Sequence, residues 1–304
     1  MSDFQTSAFA SEDDTPRAST WSQDRRLKFI DFRLRWEGRI NRTDLTRFFD
    51  ISMPQASADL SKYAEAAPGN LLYDGRAKAY MRTESFAPLY SRSASNTYLN
   101  ELLTLEAGVM EPKSSFIGWR PELGVVPLPK RMVDGAVLSQ LLQAIKDRRR
   151  VLVRYQAMAR PEPTTRTLSP HALAYDGFRW HVRAYCHRRE EFRDFVIARL
   201  SELTLEEPSD ILVADDVPWN TVVTMVLAAH PKLSAHAKRA LQMDFGMEGG
   251  SVKFTCRHAL LFYALRRLGI DQPEQQDPAA EQIILLNRHE LQPYIDQLNK
   301  KEAG

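Results

Sequence analysis

Residues 168–200 (LSPHALAYDGFRWHVRAYCHRREEFRDFVIARL) constrain the fold more than any other part of this sequence. Apolar and polar residues alternate around Trp180, and successive side chains of a β-strand point to opposite faces. The alternation predicts a core face formed by Trp180, Val182 and Ala184. The opposite face would present Arg179, His181, Arg183 and Tyr185. Guanidinium, imidazole and phenol groups suit the binding of phosphate or carboxylate, so the stretch predicts three short strands with one ligand-facing side.

A helix and a further strand precede this stretch. The run LSQLLQAIKDRRR predicts a helix from Leu138 to about Arg150, which places its last arginines as cations at a helix C-terminus. Val151–Tyr155 is rich in β-forming residues. A helix that leads into several short, bent strands predicts a small Sm-like or SH3-like β-barrel.

Three helices and a hairpin are predicted in the N-terminal part. Ser22 would cap a helix that ends at Gly38, and Asn41 would cap a short second helix. Ser52 would begin a third helix that has a proline in its first turn. Asp74-Gly75 between two apolar runs indicates a tight hairpin turn. This order is typical of a winged helix-turn-helix.

Such a domain would insert its third helix into the major groove of DNA and lay its wing on phosphates or the minor groove. Gln55 could bond an adenine through two atoms. The predicted contacts on the third helix are Ser52, Gln55, Ser57, Ala58, Ser61 and Lys62. The predicted contacts on the wing are Arg76, Lys78 and Arg82. The alternative is a small helical bundle with a solvated basic face, since residues 21–84 hold 12 Lys/Arg against 9 Asp/Glu.

The chain as a whole predicts an α+β multidomain protein. We expect a flexible tail at 1–20, the winged helix at 21–90, a helical linker at 91–135, the barrel at 136–207 and a small α+β domain at 208–304. Residues 139–205 hold 13 Lys/Arg against 7 Asp/Glu, whereas residues 206–304 hold 10 against 14. The barrel is therefore the part expected to meet an anion.

The barrel region resembles the WYL domain. The resemblance rests on Val151–Tyr155, Leu168-Ser169-Pro170-His171, Trp180-His181-Val182 with Ala184-Tyr185-Cys186, and Phe195–Leu200. His181 and Val182 stand where the namesake triplet has tyrosine and leucine. Because His181 lies on the polar face of the strand, its substitution leaves the identity of the ligand more open. The resemblance implies a ligand cleft at Tyr155, Ser169, His171, Arg183 and Arg199, with Arg193 and His181 nearby.

The order of winged helix, WYL domain and C-terminal extension resembles bacterial transcriptional regulators, most closely those of phage-defence islands (the BREX- and CBASS-associated group). The resemblance implies a homodimer, built partly by the extension, that binds an inverted repeat in double-stranded DNA and represses a phage-defence locus. It also implies a nucleotide or oligonucleotide effector that alters DNA binding. Arg183 and Arg199 would then clamp phosphate, and Tyr155 or His171 could stack on a base.

Three other interpretations remain open. The protein could be a nucleic-acid-binding adaptor without a ligand response. It could be an enzyme in which Ser169, His171 and Arg183 act on a phosphoester, but no acidic residue nearby is an evident partner for the histidine, and we predict no enzymatic activity. Arg183 and Arg199 could also form structural ion pairs, for example with Glu190 or Asp194.

No cofactor, metal or membrane role is predicted. Cys186 and Cys256 are too few for a disulfide framework, which fits a reducing compartment. His187 and His258 follow them closely, but no CxxC or HxxxH spacing supports a zinc site. No apolar run approaches the roughly 20 residues of a membrane span, and we expect a cytoplasmic protein.

Overall fold

The computed structural model describes residues 15–90, 95–127, 129, 131–272 and 281–302, with side chains at 15–21 and 299–302 excepted. Two compact units divide the chain, residues 1–128 and 129–304. The predicted flexible tail lies outside the described residues up to position 14. Positions 15–20 are helical, so that part of the tail prediction is wrong.

The first unit is the predicted winged helix-turn-helix. Its elements are α1 (Thr15–Glu37), β1 (Arg39–Ile40), α2 (Arg42–Phe49), α3 (Met53–Ala66), β2 (Leu71–Asp74), β3 (Ala79–Arg82) and α4 (Ser95–Glu106). β3 pairs antiparallel with both β1 and β2. The wing hairpin is therefore part of a three-stranded sheet.

Local hydrogen bonds determine where the short helices begin and end. The Asn41 side chain accepts from the Asp44 N–H at 2.9 Å, and the Asp44 carboxylate accepts from the Asn41 N–H at 2.8 Å. This reciprocal pair is a capping box. Asp50 ends α2 in the left-handed region at φ 53°, and Ser52 caps α3 by accepting from the Gln55 N–H. The predicted caps at Asn41 and Ser52 are confirmed.

Two predicted boundaries in this unit are wrong. The first helix begins at Thr15 rather than at a cap on Ser22, with Pro16 in its first turn, where proline loses no hydrogen bond. The wing turn is longer than Asp74-Gly75, because Asp74 pairs with Ala79. Its four residues include Lys78 at φ 51°. The Asp74 carboxylate accepts from two N–H groups within the turn and so stabilises it.

The fourth helix belongs to the core of the first unit. Leu102 and Leu105, three residues apart on one helix face, are buried in the same cluster as Phe29. Phe116, from the loop after α4, places its ring 5.3 Å from that of Phe29. The predicted linker at 91–135 is therefore wrong for α4 and for the loop as far as Ile117, which pack against the winged helix.

The second unit begins with a helix and a five-stranded antiparallel sheet in the order β7-β6-β5-β4-β8. Its elements are α5 (Gly135–Asp147), β4 (Arg149–Tyr155), β5 (Thr164–Tyr175), β6 (Trp180–Cys186), β7 (Glu191–Val196) and β8 (Leu200–Pro208). The edge strands β7 and β8 are joined only by the 3₁₀ turn Ile197–Arg199. Four strand spacings in a flat sheet span roughly 19 Å, whereas this connection reaches about 14 Å. The sheet must therefore curl, as the barrel prediction requires.

Two boundaries differ from the predicted barrel. The helix that was expected to reach Arg150 ends at Asp147, because Arg148 adopts the left-handed region at φ 50° and the first strand begins at Arg149. The third strand, expected at 195–200, lies at Glu191–Val196. Arg199 is therefore in a turn, at the junction of the two sheet edges.

Strand β6 is buried on both faces, unlike the predicted strand. Val182 and Ala184 lie in the barrel core as predicted. Trp180 does not, since it is 49% exposed and packs on Tyr175, with ring centroids 4.9 Å apart. The prediction of an inward Trp180 is wrong because this residue is the first of the strand.

The face of β6 that was expected to be open is covered by the C-terminal extension. His181 and Arg183 are only 2% and 4% exposed. The Tyr263 ring packs on His181, and Asp216 bonds Arg183. Alternation along β6 therefore indicated the strand but not what lies over its polar face.

The extension is the predicted small α+β domain. Its elements are α6 (Val217–Asn220), β9 (Val222–Ala229), α7 (Ala235–Asp244), β10 (Ser251–Arg257), α8 (Leu261–Arg267), β11 (Ile283–Leu285) and α9 (Arg288–Glu302). The three strands form an antiparallel sheet in the order β10-β9-β11. Met225, Leu261 and Leu265 are buried in its core.

Candidate functional site

The third helix packs one face into the first unit and exposes the other. Ala56, Leu60 and Tyr63, spaced by three and four residues, are at most 1% exposed. The opposite face carries the predicted DNA contacts. Of these, Ser52, Ala58, Ser61 and Lys62 are exposed, and Gln55 and Ser57 are half-buried.

Two of these predicted contacts, Gln55 and Lys62, are hydrogen-bonded to neighbouring side chains. Asp59, which is fully buried, accepts from Arg26 Nε at 2.6 Å and from Gln55 Nε2 at 3.1 Å. Lys62 Nζ donates to Gln23 Oε1 at 2.5 Å. The Arg26–Asp59 ion pair ties α3 to α1, and these bonds order the side chains before any partner binds.

The wing presents the other predicted contacts. Arg76, Lys78 and Arg82 are all exposed. Arg82 Nη1 donates to the Arg35 carbonyl at 2.8 Å, so its guanidinium lies against the end of α1. The wing and the exposed face of α3 therefore carry the sequence-predicted cations in positions open to solvent, as phosphate contacts require.

In the second unit, Arg183 lies at the centre of a buried ion-pair network. Its Nε and Nη2 donate to Asp216 at 2.7 and 2.8 Å, and its Nη1 donates to Asp194 at 3.2 Å. His171 Nε2 is 2.9 Å from the same Asp216. Burial alone would raise the pKa of Asp216, but the hydrogen bonds from Arg183 and His171 hold it well below its usual range. Burial also opposes the charge on Arg183, yet bonds to Asp216 raise its pKa.

The network corrects one prediction and agrees with another. His171 does have an acidic partner, Asp216, which lies 45 positions further along the chain and caps α6. The structural ion pair between Arg183 and Asp194 is present. Ser169 is not bonded to His171, because its Oγ lies 2.8 Å from His187 Nε2 and accepts from Ser209 Oγ at 2.6 Å. No serine-histidine relay therefore forms between Ser169 and His171.

The predicted ligand residues do not form one cleft. Ser169 and His171 border a cavity of about 600 Å³ beside α5. Arg183 and Arg193 border a smaller one of about 130 Å³. Arg199 lines a third, of about 520 Å³, between the β5–β6 turn and α8.

Two further predicted ligand residues are buried. Tyr155 lies in the barrel core, with its ring 5.1 Å from that of Phe195. His181 Nε2 is 3.0 Å from Asp176 Oδ2, and its ring centroid is 4.9 Å from that of Tyr263. In these positions, Tyr155 stabilises the barrel core, and His181 stabilises the packing of the C-terminal extension on the barrel.

Within the described ranges, no group of three His, Cys, Asp or Glu side chains could hold a metal ion. No helix in that part of the chain has the length and apolar character needed to cross a membrane.

Three family models match the chain. They are the BrxR transcriptional regulator winged helix-turn-helix domain at residues 22–104, the WYL domain at 136–205, and the BrxR transcriptional regulator C-terminal dimerization domain at 222–291. The first match extends into α4, which packs in the same core.

Relatives match across almost the whole chain. The DNA-binding transcriptional repressor CapW of Stenotrophomonas maltophilia is 46% identical over 279 residues, 90% of this chain and 93% of the relative. CapW of Escherichia coli strain KTE188 is 42% identical over 282 residues, 92% of this chain and 94% of the relative. CapW of Pseudomonas aeruginosa is 42% identical over 280 residues, with the same coverage.

The chain belongs to the CapW family. The resemblance to transcriptional regulators that combine a winged helix, a WYL domain and a C-terminal extension is thereby confirmed, as is the fold class.

Sequence reasoning missed several residues around the predicted ligand-binding residues. Asp216 closes the network on Arg183, and the α8 residues Phe262, Arg266 and Arg267 line the cavity of Arg199. The adjacent arginines in the run LFYALRRLG were a visible basic signal. Nothing local in the sequence indicates that α8 packs over the β5–β6 turn.

Proposed function

We propose that this protein is a cytoplasmic, homodimeric DNA-binding transcriptional repressor that binds an inverted repeat at a phage-defence locus. The observation that carries the proposal is the solvent-exposed face of α3 beside the basic wing, in a chain 46% identical to a protein named as a DNA-binding transcriptional repressor. One winged helix covers only a few base pairs, so specific affinity needs two copies. The match to a C-terminal dimerization domain supports the dimer.

In this proposal, α3 reads bases and the wing holds the backbone. Ser57, Ala58 and Ser61 face base edges, and Ala58 suits contact with a thymine methyl. Gln55 can still bond adenine at two positions, because Asp59 uses only one hydrogen of its amide group. Arg76, Lys78 and Arg82 contact phosphates, with Lys62 and Ser52 at the edge of the groove.

We also propose that the WYL barrel senses an anionic, nucleotide-like ligand that changes the affinity for DNA. The excess of basic residues over the barrel and its open cavities support this part. Such a ligand acts only to the extent that it binds the DNA-competent and DNA-incompetent states with different affinities.

The test is a gel shift and a footprint on the DNA upstream of the protein's own gene. Ala58→Glu adds a carboxylate to the exposed face of α3, and repulsion from DNA phosphates should weaken operator binding on the order of 10- to 100-fold. Ala240→Glu is the matched control, since Ala240 is also an exposed helical alanine but lies on α7.

Ala240→Glu should bind like the wild type, and both variants should sediment as dimers. Equal binding by Ala58→Glu and the wild type would contradict the assignment of α3. A promoter fusion of the locus should be silent with the wild type and active with Ala58→Glu. The reverse result would mean that the protein activates.

A further inference from the structure

A fully buried carboxylate lies beneath the exposed face of α3. Asp59 is 0% exposed, although it belongs to the helix that is proposed to enter the major groove of DNA. It follows Gln55 by four positions, and residues four apart are neighbours on a helix surface. A buried carboxylate is costly unless cations and hydrogen-bond donors surround it. The position of Asp59 is therefore explained by the groups that it binds.

Among the described residues, three side chains donate four hydrogen bonds to the Asp59 carboxylate. Arg26 donates twice, from Nε to Oδ2 at 2.6 Å and from Nη2 to Oδ1 at 3.3 Å. Gln23 and Gln55 each donate from Nε2 to Oδ1, at 3.3 Å and 3.1 Å. Because Arg26 already neutralises the charge, the bond from Gln55 is additional to the ion pair. It restrains a side chain on the surface that is proposed to read DNA.

The carboxylate fixes which way round the Gln55 amide lies. An ionised carboxylate only accepts hydrogen bonds, so Gln55 must turn its NH₂ group, not its oxygen, toward Asp59. Gln23 obeys the same rule, because its Nε2 faces Asp59 while its Oε1 accepts from Lys62 Nζ. An amide without such a partner can rotate by 180° and exchange its oxygen and nitrogen. Asp59 therefore leaves Oε1 and one N–H of Gln55 for another partner.

One acceptor and one donor on the same amide match adenine. In the major groove, adenine presents an N6 amino donor and an N7 acceptor, whereas guanine presents two acceptors, O6 and N7. A Gln55 amide held with Oε1 outward would place its oxygen against the O6 oxygen of guanine. A reversed amide would instead present its NH₂ group, which can donate to O6 or N7 of guanine. The orientation of the amide therefore decides which purine Gln55 accepts.

We infer that Asp59 is a positioning residue that makes Gln55 selective for adenine, because it holds the amide with Oε1 toward the base. The inference rests on the proposed binding of α3 to DNA and adds to it a residue that touches no base. Arg26 neutralises Asp59 and so keeps its charge from repelling DNA phosphates. A buried polar group thus determines operator specificity from beneath the protein surface.

The experiment compares the affinity of the full-length protein for its operator and for operators changed at single base pairs, in competition gel shifts at one salt concentration. Gln55→Ala first locates the base pair that Gln55 reads, because a change at that pair should no longer weaken binding by this variant. We expect the pair to be A·T. The wild type should bind the G·C replacement on the order of 10- to 100-fold more weakly, which is the discrimination that one bidentate contact supplies.

Asp59→Asn then tests the positioning role. A side-chain amide at this position can donate as well as accept, so it no longer fixes the orientation of the Gln55 amide. The preference for A·T over G·C at the Gln55 base pair should fall on the order of 10-fold, while preferences at the other base pairs stay at their wild-type values. Glu65→Gln makes the same carboxylate-to-amide change at an exposed position of α3 and, as the control, should keep every preference.

A second variant allows for the loss of the ion pair. Asp59→Asn leaves the Arg26 guanidinium buried without its partner, which destabilises a fold. The double variant Arg26→Gln, Asp59→Asn removes both charges together, and its two amides can bond each other. It should show the same loss of preference at the Gln55 base pair. Circular dichroism and sedimentation identify the variants that remain folded dimers, and the preference is measured on those.

The ratio of affinities distinguishes positioning from a purely structural role. A structural role would weaken binding to every operator by the same factor, and an unchanged preference for A·T in either folded variant would show that the inference is wrong. A wild type that accepts A·T and G·C equally at the Gln55 base pair would also overturn it, and that measurement needs no change at Asp59. A wild type that binds no operator would instead refute the proposed repressor, and the inference would fall with it.

Discussion

Two arginine-rich regions of the second unit differ in what neutralises them. Around Arg183, carboxylates of Asp216 and Asp194 accept from all three guanidinium nitrogens, and the residue is 4% exposed. Around Arg199, no carboxylate in the described ranges forms an ion pair with the cation, and a cavity of about 520 Å³ lies open. A buried guanidinium whose three nitrogens all donate to carboxylates is neutralised within the fold, whereas one that lines a cavity without a carboxylate partner can bind an anion.

This difference in how the two arginines are neutralised affects which part of the cleft implied by the WYL resemblance can bind an anion. An anion that bound Arg183 would have to displace Asp216, which also accepts from His171 and caps α6 through the Trp219 N–H. Displacement of Asp216 would break four hydrogen bonds, two from Arg183, one with His171 and one from the Trp219 N–H. An anion at Arg199 displaces none of them.

The largest effect is expected from removal of the buried carboxylate. Asp216→Ala leaves the Arg183 guanidinium buried with one acidic partner, and loss of one member of a buried ion pair costs about 3–5 kcal/mol. We therefore expect the free energy of unfolding to fall by that amount in urea titrations. The control is Asp215→Ala, because Asp215 is exposed at the adjacent position and should change stability by less than about 0.5 kcal/mol. Equal urea midpoints for the two variants would show that the network is not structural.

A smaller effect is expected at Asp176, which borders the open cavity but is itself fully bonded. Burial acts to raise the pKa of Asp176, but the hydrogen bond from His181 and the backbone N–H groups of Arg179 and Phe178 lower it from 3.8 to about 2. A folded pKa below the unfolded one contributes stability above pH 3.8 and loses it as pH falls from 3.8 towards 2.

Asp176→Asn tests this contribution. At neutral pH the variant should be less stable by on the order of 2 kcal/mol, and the difference from the wild type should shrink as the pH falls from about 4 to about 2. Urea unfolding at pH 7 and pH 3 provides the measurement. A difference that is the same at both pH values would exclude ionisation of Asp176 as its source.

Local features of this fold could be predicted from the sequence because they depend on neighbours in the chain. The Asn41 capping box, the Ser52 cap and the end of α1 at Gly38 all involve residues within a few positions of each other. The same holds for the strand at Trp180–Cys186, which alternation indicated. The three predicted DNA contacts on the wing are also exposed, and two of them, Arg76 and Lys78, lie in the turn that Asp74 stabilises.

The rest depends on packing between distant segments. Asp216 meets His171 across 45 positions, and Phe262 of α8 lies near Gly177 of the β5–β6 turn across 85 positions. Trp180 shows the limit of alternation, because a period of two gives the face of a residue but not whether that end of the strand is covered. The WYL motif likewise predicts which residues belong to the cleft, but it does not predict which of them are paired with carboxylates in the folded protein.

The smallest effect on stability, and the sharpest test of the comparison, is expected from Arg199→Ala. Arg199 is half-buried and forms no ion pair with a described carboxylate, so its loss should change the free energy of unfolding by less than about 1 kcal/mol. The same variant should weaken the binding of dAMP at least about 10-fold, because a phosphate contact is lost. Its affinity for the operator without nucleotide should stay at the wild-type value.

If Arg199→Ala instead unfolds as readily as Asp216→Ala, the cavity arginines support the fold as Arg183 does. Similar residues would then perform the same structural task in both regions, and the ligand would have to be sought beside Ser169 and His171.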